Sequence, residues 1–304
     1  MTLSQKPAFG LLALTLLLGG ATAAHSQQFA SSVAGYSNLS TNTLYSNSNA
    51  ALGQPTTIAD DHFGDISHDS LALSAYGSDL QGNNLLVSLG NTGTGSLTVK
   101  FDQAPITHSA GHWYGEDFIV YSNDFFVGQN NNFVTPTTDM SQYLLNTDPS
   151  KILFGILPTV SVSSDGINFV ALTPADSVFF PENPYKWAGI SAQNPSGWDD
   201  GSLQDFSKPV DPSLTFSAFT GQSAAFAANA LYNGSAGGTA FSLAGTPFAD
   251  TGIQYIRFTG VGNIDGVSRV SDAPAAVPEA SSAVSLGVLA LLGIGLAARR
   301  KKTA

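Results

Sequence analysis

Thr159-Val160-Ser161-Val162-Ser163, Ser164-Asp165-Gly166 and Ile167-Asn168-Phe169-Val170-Ala171-Leu172 form one continuous stretch whose reading decides the fold class. The first run alternates polar and apolar residues, the period of a strand with one buried face. The last run is rich in β-branched and aromatic residues. Asp-Gly between two such runs is a strong hairpin signal, because glycine takes a positive φ at little cost. An antiparallel hairpin is therefore expected here.

The same pattern recurs outward along the chain. Leu85-Leu86-Val87-Ser88-Leu89 leads through a Gly-rich turn into Ser96-Leu97-Thr98-Val99-Lys100-Phe101, and Asp117 to Tyr121 is another β-rich run. Leu214 to Phe219 alternates as well, and Gln254 to Val261 is the clearest single strand. Ser223 to Tyr232 is Ala-rich and reads as a short helix. The 31 glycines and 15 prolines fall largely between the strand runs, which describes an all-β body of the β-sandwich, jelly-roll-like kind. That body is expected over residues 58–273, behind a Ser/Asn-rich arm or first strand at 27–57. A Pro- and aromatic-rich stretch, 174–213, reads as a long loop over one edge of the sandwich.

Both ends read as addresses. Residues 1–26 have a positive start at Lys6, an apolar core from Phe9 to Leu18 and a small-residue cleavage site, Ala21-Thr22-Ala23. These are the parts of a secretory signal peptide, cut before Ala24 or, alternatively, after Ser26. Residues 274–304 mirror this: Val277-Pro278-Glu279-Ala280, an uncharged helix expected over 281–298, and Arg299, Arg300, Lys301 and Lys302. The apolar stretch is near the lower limit for a transmembrane helix, and four consecutive cations hold such a tail in the cytoplasm.

The order of motif, apolar helix and basic cluster resembles the PEP-CTERM sorting signal of Gram-negative bacteria. Val277, Pro278 and Glu279 match that family's motif, and Ala280 replaces its second proline. The body resembles the sandwich domain of such surface proteins in four places. These are Asp117 to Tyr121 followed by Ser122-Asn123-Asp124, Val160 to Phe169, Gly238 to Leu243, and Tyr255 to Phe258 followed by Ile264-Asp265-Gly266-Val267. Ser122, Thr239 and Ser242 stand where the family often carries carboxylates. The resemblance implies signal peptidase and an exosortase-type membrane protease as partners. It also implies transient anchoring in the inner membrane, then delivery to the cell surface or an extracellular polysaccharide matrix.

Composition narrows the chemistry. Of the 304 residues 22 are acidic, 11 basic and none cysteine, which excludes disulfides and thiolate chemistry and leaves no basic stripe for nucleic acid. Five of the basic residues lie in the signal peptide and the terminal basic cluster, so the stretch from residue 27 through Glu279 carries six cations against all 22 acids. Asp-rich loops suggest a structural Ca²⁺ as the one conceivable cofactor, with no particular ligands and no metal site assigned. His62, His68, His108 and His112 lack a zinc-site pattern and read as surface-loop residues. The G-x-S-x-G elbow is missing, and no catalytic residue is assigned. Phe118, Phe169, Phe241 and Phe258 read as core. Tyr185, Trp187 and Trp198, in the long loop, read as a possible ligand platform on which sugar rings stack. The leading expectation is an exported, non-enzymatic protein of the surface or exopolysaccharide (biofilm) matrix. A carbohydrate-binding module and a secreted hydrolase are the alternatives.

Overall fold

The computed structural model describes residues 28–38, 45–60, 66–73, 85–129, 134–135, 138–146, 152–153, 158–172 and 180–274. The chain divides into two compact units, Met1–Asp272 and Ala273–Ala304. All the described elements belong to the first.

The strands are short: β1 (Ser32–Ser37), β2 (Ile58–Asp60), β3 (Ile66–His68), β4 (Val87–Ser88), β5 (Gly95–Lys100), β6 (Phe118–Tyr121), β7 (Phe125–Phe126), β8 (Ile152–Leu153), β9 (Thr159–Ser163), β10 (Val170–Ala171), β11 (Tyr185–Trp187), β12 (Trp198–Leu203), β13 (Thr239–Phe241), β14 (Tyr255–Gly260), β15 (Asn263–Ile264) and β16 (Gly266–Arg269). One antiparallel sheet has the order β1-β5-β14-β9-β10, and a second has the order β13-β6-β16. The fold is all-β, with only short helical turns among the described residues.

Alternation explains why the two sheets meet. Leu97, Val99, Val160, Val162, Ile256 and Phe258 point from the larger sheet into the same cluster as Phe118, Val120, Phe241 and Val267 of the smaller one. Phe118 and Phe241 stack within it, ring centroids 5.2 Å apart. The N-terminal segment ties the layers together. Phe29 bridges Ser268 of β16, Ala30 donates to the Val267 carbonyl, and the chain then crosses to pair β1 with β5.

The deciding hairpin forms as β9 and β10, with Gly166 at φ +75°. Its second strand is shorter than the apolar run suggests. Asp165 accepts hydrogen bonds from the amides of Ile167 and Asn168, which therefore stay in the turn instead of joining the ladder. Pairing resumes at Val170 opposite Val162, and Phe169 falls on the outer face with Arg257 stacked 3.6 Å from its ring. The expectation that Phe169 is core is thus corrected. Leu214 to Phe219 also departs from expectation. It contains a single α-helical turn, α1 (Phe216–Phe219), because packing rewards Phe219 at its end: that ring is fully buried against Phe126, Phe180 and Tyr232. A second turn, α2 (Ala224–Phe226), runs on through a π-helical segment to Leu231, as the Ala-rich stretch predicts. Ser223 caps it by accepting from the Phe226 amide.

The stretch 174–213, expected as a loop lying over an edge, instead builds part of a second core. Residues 173–179 lie outside the described residues, but β11 and β12 pair as a hairpin beyond them. Their rings join Phe126, Phe180, Phe219 and Tyr232 in one apolar cluster.

Candidate functional site

The sorting residues Val277, Pro278 and Glu279, the expected helix 281–298 and the cations Arg299, Arg300, Lys301 and Lys302 lie outside the described residues, as does the signal peptide 1–26. Among the described residues no helix is long and apolar enough to cross a membrane. The expected sugar platform is corrected. Tyr185, Trp187 and Trp198 are buried, and the two indoles meet edge to face with centroids 5.2 Å apart. Asn229 clamps the segment by accepting from the Trp187 amide and donating to the Trp187 carbonyl. Rings held this way have no free face to offer a ligand. The sequence misleads here because proline-rich chain does not show the hydrophobic partners that Phe126, Met140, Tyr143, Phe219 and Tyr232 supply.

The open face of the larger sheet is organised differently. Residues paired across antiparallel strands share a face, so the side chains opposite the core form rungs. Ser37, Ser96, Thr259 and Thr159 make one rung. Gly35, Thr98, Arg257 and Ser161 make the next. Ser32, Lys100, Tyr255 and Ser163 complete a third. A groove of ≈ 470 Å³ runs over this face, its walls including Thr94, Ser96, Thr98, Tyr255, Arg257 and Thr259. With strands about 4.8 Å apart, four strands span roughly 14 Å, the length of a short oligosaccharide. Arg257 is positioned from two sides: its guanidinium lies on the Phe169 ring, and Nε donates to Thr98 Oγ1 at 3.3 Å. It forms no ion pair with an acid among the described residues, whereas Lys100 is paired with Asp102 at 2.7 Å. That pairing, with hydrogen bonds from serine hydroxyls, lowers the Asp102 carboxyl to about 2.

Beneath the surface lies a group of carboxyls that the sequence scatters. Glu182 is 2% exposed, and Asp69, Asp265 and Asp124 are similarly buried. Burial, then the nearby Asp265 and Asp69, push the Glu182 carboxyl well above its ordinary range. Burial raises Asp265 to about 7 and Asp124 to about 6, although Asp265 accepts from the Thr56 amide and Asp124 from the Ser122 hydroxyl. An ionised Glu182 finds no donor for either oxygen, whereas a protonated one donates to a neighbouring carboxylate. The folded protein thus binds protons that the unfolded chain releases above its ordinary carboxylate range. Its stability is greatest below about pH 4 for these groups and falls as pH rises through about 7. For Asp124 the rise to about 6 corresponds to about 2–3 kcal/mol. Urea unfolding at pH 5 and pH 8 checks this: the midpoint is expected to be lower at pH 8, and a flat or rising profile contradicts it. Among the described residues, no group of three or more His, Cys, Asp or Glu side chains is placed to hold a metal ion.

Two of the expected surface-loop histidines are in fact anchored. Asp117, 0% exposed, accepts from His108 Nδ1 at 3.0 Å and His112 Nδ1 at 2.9 Å, each ring presenting its N–H. It also accepts from the amides of Ser109 and Leu243. One carboxylate at the start of β6 therefore holds the 106–116 loop to the chain leaving β13. The spacing of four between His108 and His112 had a structural meaning, but through a shared acid nine and five residues on instead of through a helix face.

Comparison with protein-family models, with curated proteins and with solved structures gives no match to this chain.

Proposed function

We propose that the chain is an exported, non-enzymatic surface or extracellular-matrix protein: a jelly-roll-like β-sandwich body delivered by a signal peptide and sorted by its PEP-CTERM-like tail. The observation that carries the reading is where the body ends. The last strand, β16, closes at Arg269, and the boundary between the two compact units falls after Asp272, five residues before Val277. A protease acting at the motif would remove no strand from either sheet. The strand order supports the sandwich form. Counting the eight strands of the two sheets in chain order gives 2-7-4-5 for four strands of one sheet and 8-3-6 for the other, and the chain entering the first strand bridges the eighth. Those are the orders of two interlocked Greek keys. In this reading signal peptidase and an exosortase-type protease are the processing partners, and the tail spans the inner membrane until it is cut. The acidic body keeps the released protein soluble.

Deleting 277–304 tests the sorting role. The shortened protein is expected in the soluble exported fraction, whereas the full chain passes through a membrane-bound form. Equal membrane association of the two would contradict the reading.

A further inference from the structure

The outer face of the five-stranded sheet holds no acid on any of its twelve rung positions, although acids outnumber bases 22 to 11 in the chain. Eight of the twelve carry Ser or Thr hydroxyls, of which Ser163 is buried and donates to Asp165 and Thr98 is buried beside Arg257, and the remainder are Gly35, Arg257, Lys100 and Tyr255. Hydroxyl rows on a sheet facing water are common. What distinguishes this face is a single guanidinium, fixed at the middle rung by a ring beneath it and a hydroxyl beside it, with no carboxylate of the described residues to answer its charge. Long cationic side chains lose rotamer freedom when they bind. Here much of that loss has already been met in folding, so the terminal nitrogens are presented as a ready fork.

We propose that this groove binds a carboxylate-bearing polysaccharide, with Arg257 taking a uronate carboxylate and the flanking Ser and Thr rows taking sugar hydroxyls. The planar fork matches a carboxylate bidentately, which an ammonium does not. Neutral sugars would use the hydroxyl rows and leave the guanidinium idle. Tyr255 forms one wall, with Gly166 of the β9–β10 turn so close to its ring that an added Cβ would lie 3.1 Å away. The general acidity of the body repels polyanions at long range, so the attraction is local and short-ranged, and modest affinity is expected. The site stands on the geometry of the body and holds whether or not the tail is sorted as proposed above.

The test is calorimetric titration of the full-length protein in detergent with three probes: a hexameric alginate oligosaccharide, a dextran oligosaccharide of equal length, and free acetate. Alginate binding is expected in the wild type and at least ten-fold weaker in Arg257→Gln, with dextran and acetate far weaker than alginate. Arg257→Lys keeps the charge and most of the stem, so it covers the case in which Arg257→Gln unfolds. It is expected to melt like the wild type yet bind alginate several-fold more weakly. Absence of alginate binding, equal binding of dextran, or alginate affinity unchanged in both variants overturns the proposal. Membrane fractionation of the tail deletion reads the sorting hypothesis separately, so the failure of one does not imitate the failure of the other.

Discussion

Replacing Trp198 by Ala is expected to lower the unfolding free energy by about 3–5 kcal/mol, the usual cost of emptying a large buried aromatic site. Trp198 is 3% exposed and meets Trp187 edge to face inside the second apolar cluster. Collapse around the cavity is restricted, because Trp187 is fixed by Asn229 and lies directly against Gly197. Gly197 has φ +78°, and a Cβ there would sit 2.0 Å from the Trp187 ring. Gly197→Ala is therefore expected to destabilise through both strain and overlap. Thermal unfolding followed by circular dichroism reads both variants. A Trp198→Ala protein melting within 2–3 °C of the wild type would mean that the ring is not a core residue, and it would reopen the loop-platform reading.

Asp117→Ala is the second large effect, again about 3–5 kcal/mol, the cost of removing one partner from a buried charged network. The substitution strands two imidazoles and the amides of Ser109 and Leu243 at once. For a body of this size the loss corresponds to a melting temperature lower by roughly 10 °C. Asp117→Asn keeps the shape but offers one acceptor oxygen where the carboxylate offers two, and should fall between. Mutating His108 alone should cost less, since Asp117 retains three donors. If Asp117→Ala and His108→Ala destabilise equally, the carboxylate is not the hub of the loop.

The two outcomes illustrate which parts of the structure the sequence exposes. The central strands β5, β9 and β14 are legible because each alternates against a core that both layers share, and β6 because its unbroken apolar run is buried on both faces, so local pattern and tertiary packing agree. Leu214 to Phe219 reads as a strand because six residues fit either period, and the burial of Phe219 among rings from three other segments selects the helical turn. Tyr185, Trp187 and Trp198 look like loop aromatics until Phe126, Met140, Tyr143, Phe219 and Tyr232 pack with them in one cluster. The carboxyl group is less legible still. Asp69, Glu182 and Asp265 lie far apart in sequence, and nothing local to any of them signals burial. One clue was present for the groove: the outward residues of β5 and β14 are Ser96, Thr98, Lys100, Tyr255, Arg257 and Thr259, which contain no acid in an acidic chain. That bias acquires meaning only when register places the residues side by side.

The claim that organises these observations is that a self-contained β body is exported and then parted from its tail. Mass spectrometry of the termini, on protein recovered from the surface or medium of producing cells, tests it most directly. A first residue at Ala24 or Gln27 and a last residue within or near 277–280 are expected. Protein at that location that still begins at Met1, or still carries Arg299 to Lys302, would contradict it.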